Sequence, residues 1–196
     1  MIPASEALQR LRDGNYRFVH GEENDLQSIN QARRAELVDG QSPFAVIIAC
    51  SDSRVPVELL FDQGLGDLFV IRVAGNIVAP SQIGSVEFAA ANLGTKLVVV
   101  LGHSNCGAVD ATLKELSLQQ EIRSPNLRSI VDRIGPAVEA LDNPSLNDAV
   151  VANVRNSVAR LRSGSGILEA LIDSGDLTVV GAKYSIESGV VDFLDD

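Results

Sequence analysis

A thiol, a carboxylate and a guanidinium stand within five positions of one another, as Cys50, Asp52 and Arg54. They follow the apolar run 44–49, which is rich in β-branched residues and is typical of a strand buried on both faces. Ligands of open α/β sheets bind beyond the carboxyl ends of the strands. We therefore predict that Cys50 lies at the edge of a sheet where a binding site forms.

A second group of metal-binding side chains follows another apolar run. This run begins at Lys96 and leads to His103, with Cys106 three residues later. Two thiolates and an imidazole suit zinc, which accepts sulfur and nitrogen ligands in a tetrahedral shell. Cys50, His103 and Cys106 are thus predicted to hold one zinc ion per chain and to leave its fourth position open, as in catalytic sites.

Two other uses of these residues are open at this point. The chain has only two cysteines, so Cys50 and Cys106 could form a structural disulfide, although metal or catalytic use is commoner in a cytosolic chain. The zinc site could also be closed and structural, with Asp52 or His20 as the fourth ligand. Ligands at strand ends favour the catalytic interpretation, because structural sites usually take their ligands from one compact loop.

Asp52 and Arg54 are two residues apart, so in an extended segment they project to the same side and can form a bidentate pair. Such a pair keeps the carboxylate ionised, and an ionised Asp52 beside the metal can accept the proton of zinc-bound hydroxide and orient it. A salt bridge that only shapes the loop is the alternative. Because two thiolates neutralise the zinc charge, we expect activity to rise toward alkaline pH.

Composition sets bounds on the fold and on the partners. A chain of 196 residues with 45% hydrophobic content is long enough for one core, which predicts a single domain over 1–196. The net charge of -10 argues against nucleic acid or an anionic membrane as a partner. No transmembrane segment or signal peptide is recognised, so we expect the protein in the cytoplasm or in an internal compartment.

Apolar runs alternate with amphipathic patterns along the chain, which predicts an α/β fold. The central sheet is expected to be mostly parallel, with four parallel strands, an antiparallel edge strand after a hairpin, and flanking α-helices. Residues 1–40 form an N-terminal helical arm in this prediction, and residues 41–196 form the α/β core. Strands are predicted at 44–49, 68–74, the run from Lys96, 177–184 and 190–194, and helices at 5–19, 31–38, 57–61, 85–93, 105–117, 124–141, 146–162 and 167–172.

Local features accompany these elements. Ser5 is predicted to cap the first helix, Gly14 to weaken it, and Pro136 to kink or interrupt a later helix. Arg72, inside an apolar run, needs a carboxylate or carbonyl partner, and we favour a structural ion pair. The helix that begins near Cys106 is expected to favour a thiolate there, because its N-terminal amides point into the site.

The segments around the candidate ligands resemble the β-class carbonic anhydrases. The motifs are ACSDSRVP at 49–56 and LGHSNCGAV at 101–109, and further blocks extend the resemblance over nearly the whole chain. The resemblance implies zinc-dependent, reversible hydration of carbon dioxide to bicarbonate and a proton. Zinc would be bound by the three ligands named above, and the Asp52/Arg54 pair would orient the attacking group. The further blocks lie at 14–19, 41–44, 61–70, 74–76 and 180–184.

The same resemblance implies further site residues. Gln41 matches the side-chain amide that hydrogen-bonds substrate in the family, and Gly107 matches the glycine that leaves space for substrate after the last ligand. Phe69 and Phe88 fall where the family has aromatic pocket residues, and with Val73 they form an apolar pocket suited to carbon dioxide. Plain core packing is the alternative for the aromatic residues. The family is built on dimers whose N-terminal helices embrace the partner, which implies a homodimer or a dimer-based higher oligomer.

The sequence departs from some relatives. It has Ile47 and no tryptophan, so bicarbonate regulation away from the zinc, which uses a tryptophan in some members, is not expected. Val73 replaces a frequent asparagine. In some relatives the residue equivalent to Asp52 leaves its arginine and binds zinc, which adds Asp52 as a metal ligand in a closed state. Two other functions stay open: a hydrolase of carbonyl sulfide, and a non-catalytic zinc or redox-sensing protein.

Overall fold

The fold is organised around one sheet of five strands in the order β2-β1-β3-β4-β5. The computed structural model describes residues 1–23, 31–118 and 124–194. β1 to β4 are parallel, and β5 pairs with β4 in the antiparallel direction, so the predicted fold class is confirmed. The strands are β1 (Ala45–Ala49), β2 (Leu68–Arg72), β3 (Leu97–His103), β4 (Thr178–Tyr184) and β5 (Val191–Leu194).

Helices cover both faces of the sheet, as expected for parallel strands joined by crossovers. None of the helices in the described ranges is long and apolar enough to cross a membrane. Short 3₁₀ and π segments occupy Ala74–Asn76 and Phe88–Asn92. The α-helices are α1 (Ala4–His20), α2 (Gln31–Glu36), α3 (Val57–Leu60), α4 (Pro80–Glu87), α5 (Gly107–Leu118), α6 (Pro125–Glu139), α7 (Leu146–Ser163) and α8 (Gly166–Asp173).

β1 and β3 are buried along their whole length, which explains why their sequences are continuously apolar rather than alternating. Successive side chains point to opposite faces of the sheet. Ile47 and Val99 therefore join a cluster with Leu11 of α1 on one face. Val46 joins the cluster on the other face, to which α7 contributes Val154. These two interior strands are thus packed on both faces, and the residues at their carboxyl ends follow directly on this packed backbone.

Three helix features differ from the sequence predictions. The N-cap of α1 is Pro3 and not Ser5, so no side chain caps that end. α4 begins at Pro80, five residues before the predicted start, because proline is well suited to the first turn of a helix. α6 runs as one helix through Pro136, so this proline does not interrupt it.

Gly14 has a packing role in α1 that the sequence prediction missed. A Cβ at this position would lie 1.8 Å from the carbonyl oxygen of Phe61, so the backbone of α1 comes too close to the residue directly after α3 for any side chain. The neighbouring Asn15 is buried and donates to the carbonyl oxygens of Leu60 and Gly189, at 3.1 and 2.9 Å. α1 is therefore held against the body of its own chain.

β2 lies at the edge of the sheet and is only partly buried. The strand ends at the exposed residue Arg72. Arg72 donates to the carbonyl oxygens of Cys50, at 3.0 Å, and Asp52, at 2.5 Å. Its partners among the described residues are thus carbonyls, which corrects the preferred interpretation of a structural ion pair. The two bonds brace the chain directly after β1.

Candidate metal centre

The candidate ligands meet at the carboxyl ends of two neighbouring interior strands, β1 and β3. β1 and β3 are neighbouring parallel strands, so their carboxyl ends lie side by side. Cys50 follows β1, His103 ends β3, and Cys106 directly precedes α5. One ligand atom from each lies within 4.8 Å of the others, and all three residues are buried. The structure thus brings together the three residues that the sequence pattern proposed.

The imidazole of His103 is oriented for a metal ion. Its Nδ1 lies 2.8 Å from the carbonyl oxygen of Ser104, which can only accept, so Nδ1 carries the proton and Nε2 presents a lone pair. Nε2 is buried and has no hydrogen-bond partner among the described residues. A buried polar atom without a partner is costly, and a metal ion would satisfy it. The donor set and this orphaned nitrogen fit zinc.

The two thiols lie close enough to share a hydrogen bond. The hydrogen bond from Cys106 is the main cause that lowers the pKa of Cys50 to about 4, and the amide of Gly75, 3.3 Å from its Sγ, adds to this effect. The adjacent Cys50 and burial raise the pKa of Cys106 well above its usual range. Backbone amides of α5 favour the Cys106 thiolate as predicted, but they are outweighed. These opposite shifts favour a metal-free state in which the two thiols share one proton at neutral pH.

We expect zinc binding at neutral pH to release about one proton from the thiol pair, because the ion binds both sulfurs as thiolates. The apparent zinc affinity should accordingly fall by at least about tenfold for each pH unit from pH 8 to pH 5. Titration calorimetry in two buffers that differ in ionisation enthalpy gives the proton count. An affinity that does not change with pH would contradict a shared proton on Cys50 and Cys106.

Asp52 and Arg54 form the predicted bidentate pair. Arg54 donates from Nε to Oδ1 at 2.9 Å and from Nη2 to Oδ2 at 2.7 Å. These bonds hold the pKa of Asp52 well below its usual range, so the carboxylate is ionised. Oδ2 lies 3.9 Å from Nε2 of His103, which places the carboxylate directly beside the ligand cluster. Both oxygens of Asp52 are engaged with Arg54 in this arrangement.

The predicted substrate residues fall into separate places within one chain. Val73 packs in the apolar cluster that contains Cys50 and Cys106. Gly107 opens α5 next to the last ligand, and a Cβ there would meet no other described atom within 4 Å. Phe69 and Phe88 contact each other, with ring centroids 6.2 Å apart, but among the described residues they lie outside that cluster.

Gln41 lies at the opposite end of the sheet from the ligands of its own chain. It is exposed in the connection before β1, where it lines a surface cavity of about 560 Å³ together with Leu37 and Gly66. Cys50 follows the other end of β1, and five extended residues alone span about 16 Å. Gln41 therefore does not reach the ligand cluster of its own chain.

His20 is not part of the cluster. It ends α1, stacks on Tyr16 with ring centroids 4.0 Å apart, and has Nδ1 2.7 Å from the Tyr16 carbonyl oxygen. Within the described ranges, the metal-binding group consists of Cys50, His103 and Cys106 alone. The alternative in which His20 is the fourth ligand is therefore not supported.

Comparison with known proteins identifies the family. The profile of a family described as carbonic anhydrase matches residues 45–191. A carbonic anhydrase of Mycolicibacterium smegmatis is 40% identical over 190 residues, which cover 95% of this chain and 91% of that protein. A carbonic anhydrase of Pseudomonas aeruginosa is 38% identical and covers 96% of this chain and 88% of its own length. This chain belongs to the carbonic anhydrase family.

Solved structures place the chain in the β class. The β-carbonic anhydrase CcaA matches with a TM-score of 0.72 and 30% identity, covering 98% of this chain and 90% of that one. The Coccomyxa β-carbonic anhydrase in complex with acetazolamide matches with a TM-score of 0.72 and 25% identity, covering 99% and 87%. β-Carbonic anhydrases use zinc and hydrate carbon dioxide, so this chain is a carbonate dehydratase whose Cys50, His103 and Cys106 can hold the zinc. The carbonyl sulfide and redox-sensor alternatives are not favoured.

Contacts around this β-carbonic anhydrase site include two that sequence reasoning missed. The amide that donates to Cys50 belongs to Gly75, whose φ of 70° lies in the left-handed region. Asn153 of α7, which is 78 positions away in sequence, donates to the Gly75 carbonyl oxygen at 2.8 Å and so holds this turn in place. The sequence did contain a signal for this turn. Gly75 and Asn76 directly follow a predicted strand, and such pairs are typical of turns with positive φ.

Proposed function

We propose that Cys50, His103 and Cys106 hold the zinc for reversible hydration of carbon dioxide, and that Asp52 and Arg54 orient the attacking oxygen. The observation that carries this assignment is the orphaned Nε2 of His103, whose residue forms one ligand group with the two cysteines and which lies 3.9 Å from an ionised carboxylate. Zinc supplies the Lewis acidity that makes water a nucleophile near neutral pH.

The residues around the metal have distinct tasks in this mechanism. Asp52, held ionised by Arg54, can accept a hydrogen bond from the attacking oxygen, so that a lone pair of that oxygen faces the carbon of the substrate. Val73 supplies apolar contact for carbon dioxide, which has no hydrogen-bond donor and no net dipole. The space in front of Gly107 leaves room for the product bicarbonate. The proton released by hydration passes to solvent or buffer.

Activity measurements on the zinc-loaded chain test this function. Stopped-flow assays with a pH indicator should show hydration that rises from mildly acidic to alkaline pH, because two thiolates reduce the ability of zinc to acidify water. A chain that contains one zinc per subunit and is inert toward carbon dioxide at every pH would refute the function. A flat pH profile would refute only the charge argument.

We further propose that the chain works as a homodimer or a dimer-based oligomer. The support is that Gln41 lies at the opposite end of β1 from its own metal cluster, so the substrate contact that the family resemblance implies for it would be made in the site of a neighbouring subunit. β2 is a partly exposed edge, and Phe88 beside it is 48% exposed. α2 buries no residue in its own chain. In this proposal, Phe69, Phe88 and Gln41 of one subunit complete the substrate pocket beside the metal cluster of its neighbour.

Intersubunit complementation tests the dimer. Gln41→Ala and Cys106→Ala chains should each be impaired, but refolding an equal mixture should restore about a quarter of the wild-type sites, because half of the pairs are mixed and each has one intact site. Mixing two preparations of the same variant is the control. An absence of restoration, although mixed dimers form, would contradict the shared site.

Two further assignments extend this proposal. We place residues 1–196 in a single domain, in which α1 and α2 form an arm toward the partner although α1 also packs on its own core through Ala7 and Leu11. The location in the cytoplasm or an internal compartment stays a prediction of the sequence. The same holds for the expectation that neither nucleic acid nor a membrane is a partner.

A further inference from the structure

The two residues between the ligands His103 and Cys106 determine how these ligands are spaced. Asn105 has a φ of 55°, in the left-handed region that few side chains adopt without support. Ser104 supplies the carbonyl oxygen that accepts from Nδ1 of His103, so the position of Ser104 sets the direction of the imidazole. A shift of this short segment would move both ligands together.

One carboxylate holds both of these residues. Glu187 lies in the turn between β4 and β5, more than 80 positions away in sequence. Its Oε2 accepts from the hydroxyl of Ser104 at 2.8 Å, and its Oε1 accepts from the side-chain amide of Asn105 at 2.8 Å. The hydroxyl of Ser185 also donates to Oε2, at 3.2 Å. These donors lower the pKa of Glu187, the Ser104 hydroxyl most of all.

The turn that carries Glu187 is itself anchored. Its backbone meets the ligand segment directly, since the amide of Ile186 donates to the Ser104 hydroxyl at 2.9 Å. On its other side, the turn contacts α1 through the buried Asn15, which donates to Gly189 and accepts from the amide of Val191 at 2.8 Å. Glu187 is therefore attached to a fixed part of the fold and can restrain the ligand segment.

The ligand segment also connects to the orienting pair. The carbonyl oxygen of Asn105 accepts from Nη2 of Arg54 at 3.3 Å, and the same Nη2 donates to Asp52. Movement of Asn105 would thus disturb Arg54 as well as Cys106. One side chain on the far hairpin restrains the metal ligands and the orienting pair together.

We propose that Glu187 is a positioning residue of the zinc centre: its carboxylate clamps Ser104 and Asn105 and so fixes the direction of the His103 ring and the place of Cys106. The inference rests on the proposed function only in that these ligands hold zinc. Partners that orient metal ligands typically contribute about 10- to 100-fold in metal affinity or activity.

The test is zinc release from the loaded chain into an excess of the chelator 4-(2-pyridylazo)resorcinol. Glu187→Ala should release zinc about 10-fold faster than the wild type, the lower end of this range, because Glu187 acts on the ligands through Ser104 and Asn105. Asp192→Ala is the matched control, since it removes an exposed carboxylate from β5 of the same hairpin, and its release rate should match the wild type. A Glu187→Ala rate equal to that of the control would overturn the proposal.

A second variant guards against a general loss of folding. Glu187→Gln keeps the size of the side chain but has one acceptor oxygen for two donors, so its zinc release should lie between those of the wild type and Glu187→Ala. If the metal-free Glu187→Ala variant melts at a lower temperature than the wild type, the zinc release rate of Glu187→Gln decides whether Glu187 positions the ligands. Wild-type release from Glu187→Gln would refute the clamp.

Cobalt substitution adds a spectroscopic readout. Absorption bands of cobalt(II) report the geometry of its sulfur and nitrogen ligands, so they should shift in Glu187→Ala and stay unchanged in Asp192→Ala. Neither readout uses carbon dioxide. A wild-type chain that holds zinc but does not hydrate carbon dioxide would refute the function and leave this test intact.

Discussion

Cys106→Ala is expected to lose its zinc and to reduce carbon dioxide hydration by at least about 1,000-fold. Cys106 is 1% exposed and supplies one of the three ligand atoms that lie within 4.8 Å of one another. Its loss leaves one thiolate and one imidazole, which cannot complete a catalytic zinc site with three protein ligands. Zinc content by atomic emission and hydration by stopped flow would be measured on the same preparation.

Val109→Ala is the matched control for this variant. Val109 is fully buried in α5, about one turn beyond Cys106, in the apolar cluster that also contains Cys50 and Cys106. Its truncation removes apolar volume but leaves its backbone amide and all three ligand residues in place. It should keep one zinc per chain and most of the activity, although it will be less stable. A Cys106→Ala chain that retains both zinc and wild-type turnover would show that the metal is held elsewhere.

Asp52→Asn is expected to keep its zinc and to lose about 100-fold in hydration. The change preserves the shape of the side chain but removes the charge that Arg54 stabilises through two hydrogen bonds. The amide then offers an N–H where an acceptor is needed, so the attacking oxygen loses its orienting partner. The turnover rate should fall, while zinc content and the melting temperature of the loaded chain stay close to those of the wild type.

The control for Asp52→Asn is another ion-paired carboxylate. Asp176 pairs with Lys96, with Nζ and Oδ1 3.1 Å apart, at the amino edge of the sheet and away from the ligands. Asp176→Asn should leave hydration unchanged. If Asp52→Asn hydrates carbon dioxide at the wild-type rate, the carboxylate only shapes the loop, which was the alternative that the sequence left open.

Conformational closure is a separate question for Asp52. Its two oxygens bind Arg54 here, and a ligand role in a closed state would require this pair to separate. Arg54 also donates to the Asn105 carbonyl oxygen. If Arg54 moved away from Asp52, this hydrogen bond would be lost as well; if Asp52 moved instead, it would be kept. A closed state with Asp52 on the metal stays a prediction.

The sequence by itself determined the metal cluster. Two continuous apolar runs, each followed by candidate ligands, were sufficient, because parallel buried strands place their carboxyl ends at one edge. Asp52 and Arg54 were predictable for a related reason, since they are two residues apart and their pairing is local. The family resemblance added the chemistry, and comparison with relatives confirmed it.

Only the tertiary structure decided the contacts between segments that are distant in sequence. It showed that Gly14 leaves room for the backbone directly after α3, that carbonyl oxygens are the partners of Arg72, and that Gln41 lies away from its own metal cluster. It also brought Glu187 onto the ligand segment. Periodicity and spacing report the local path of the backbone, whereas these contacts depend on how separate elements pack, so no local pattern encodes them.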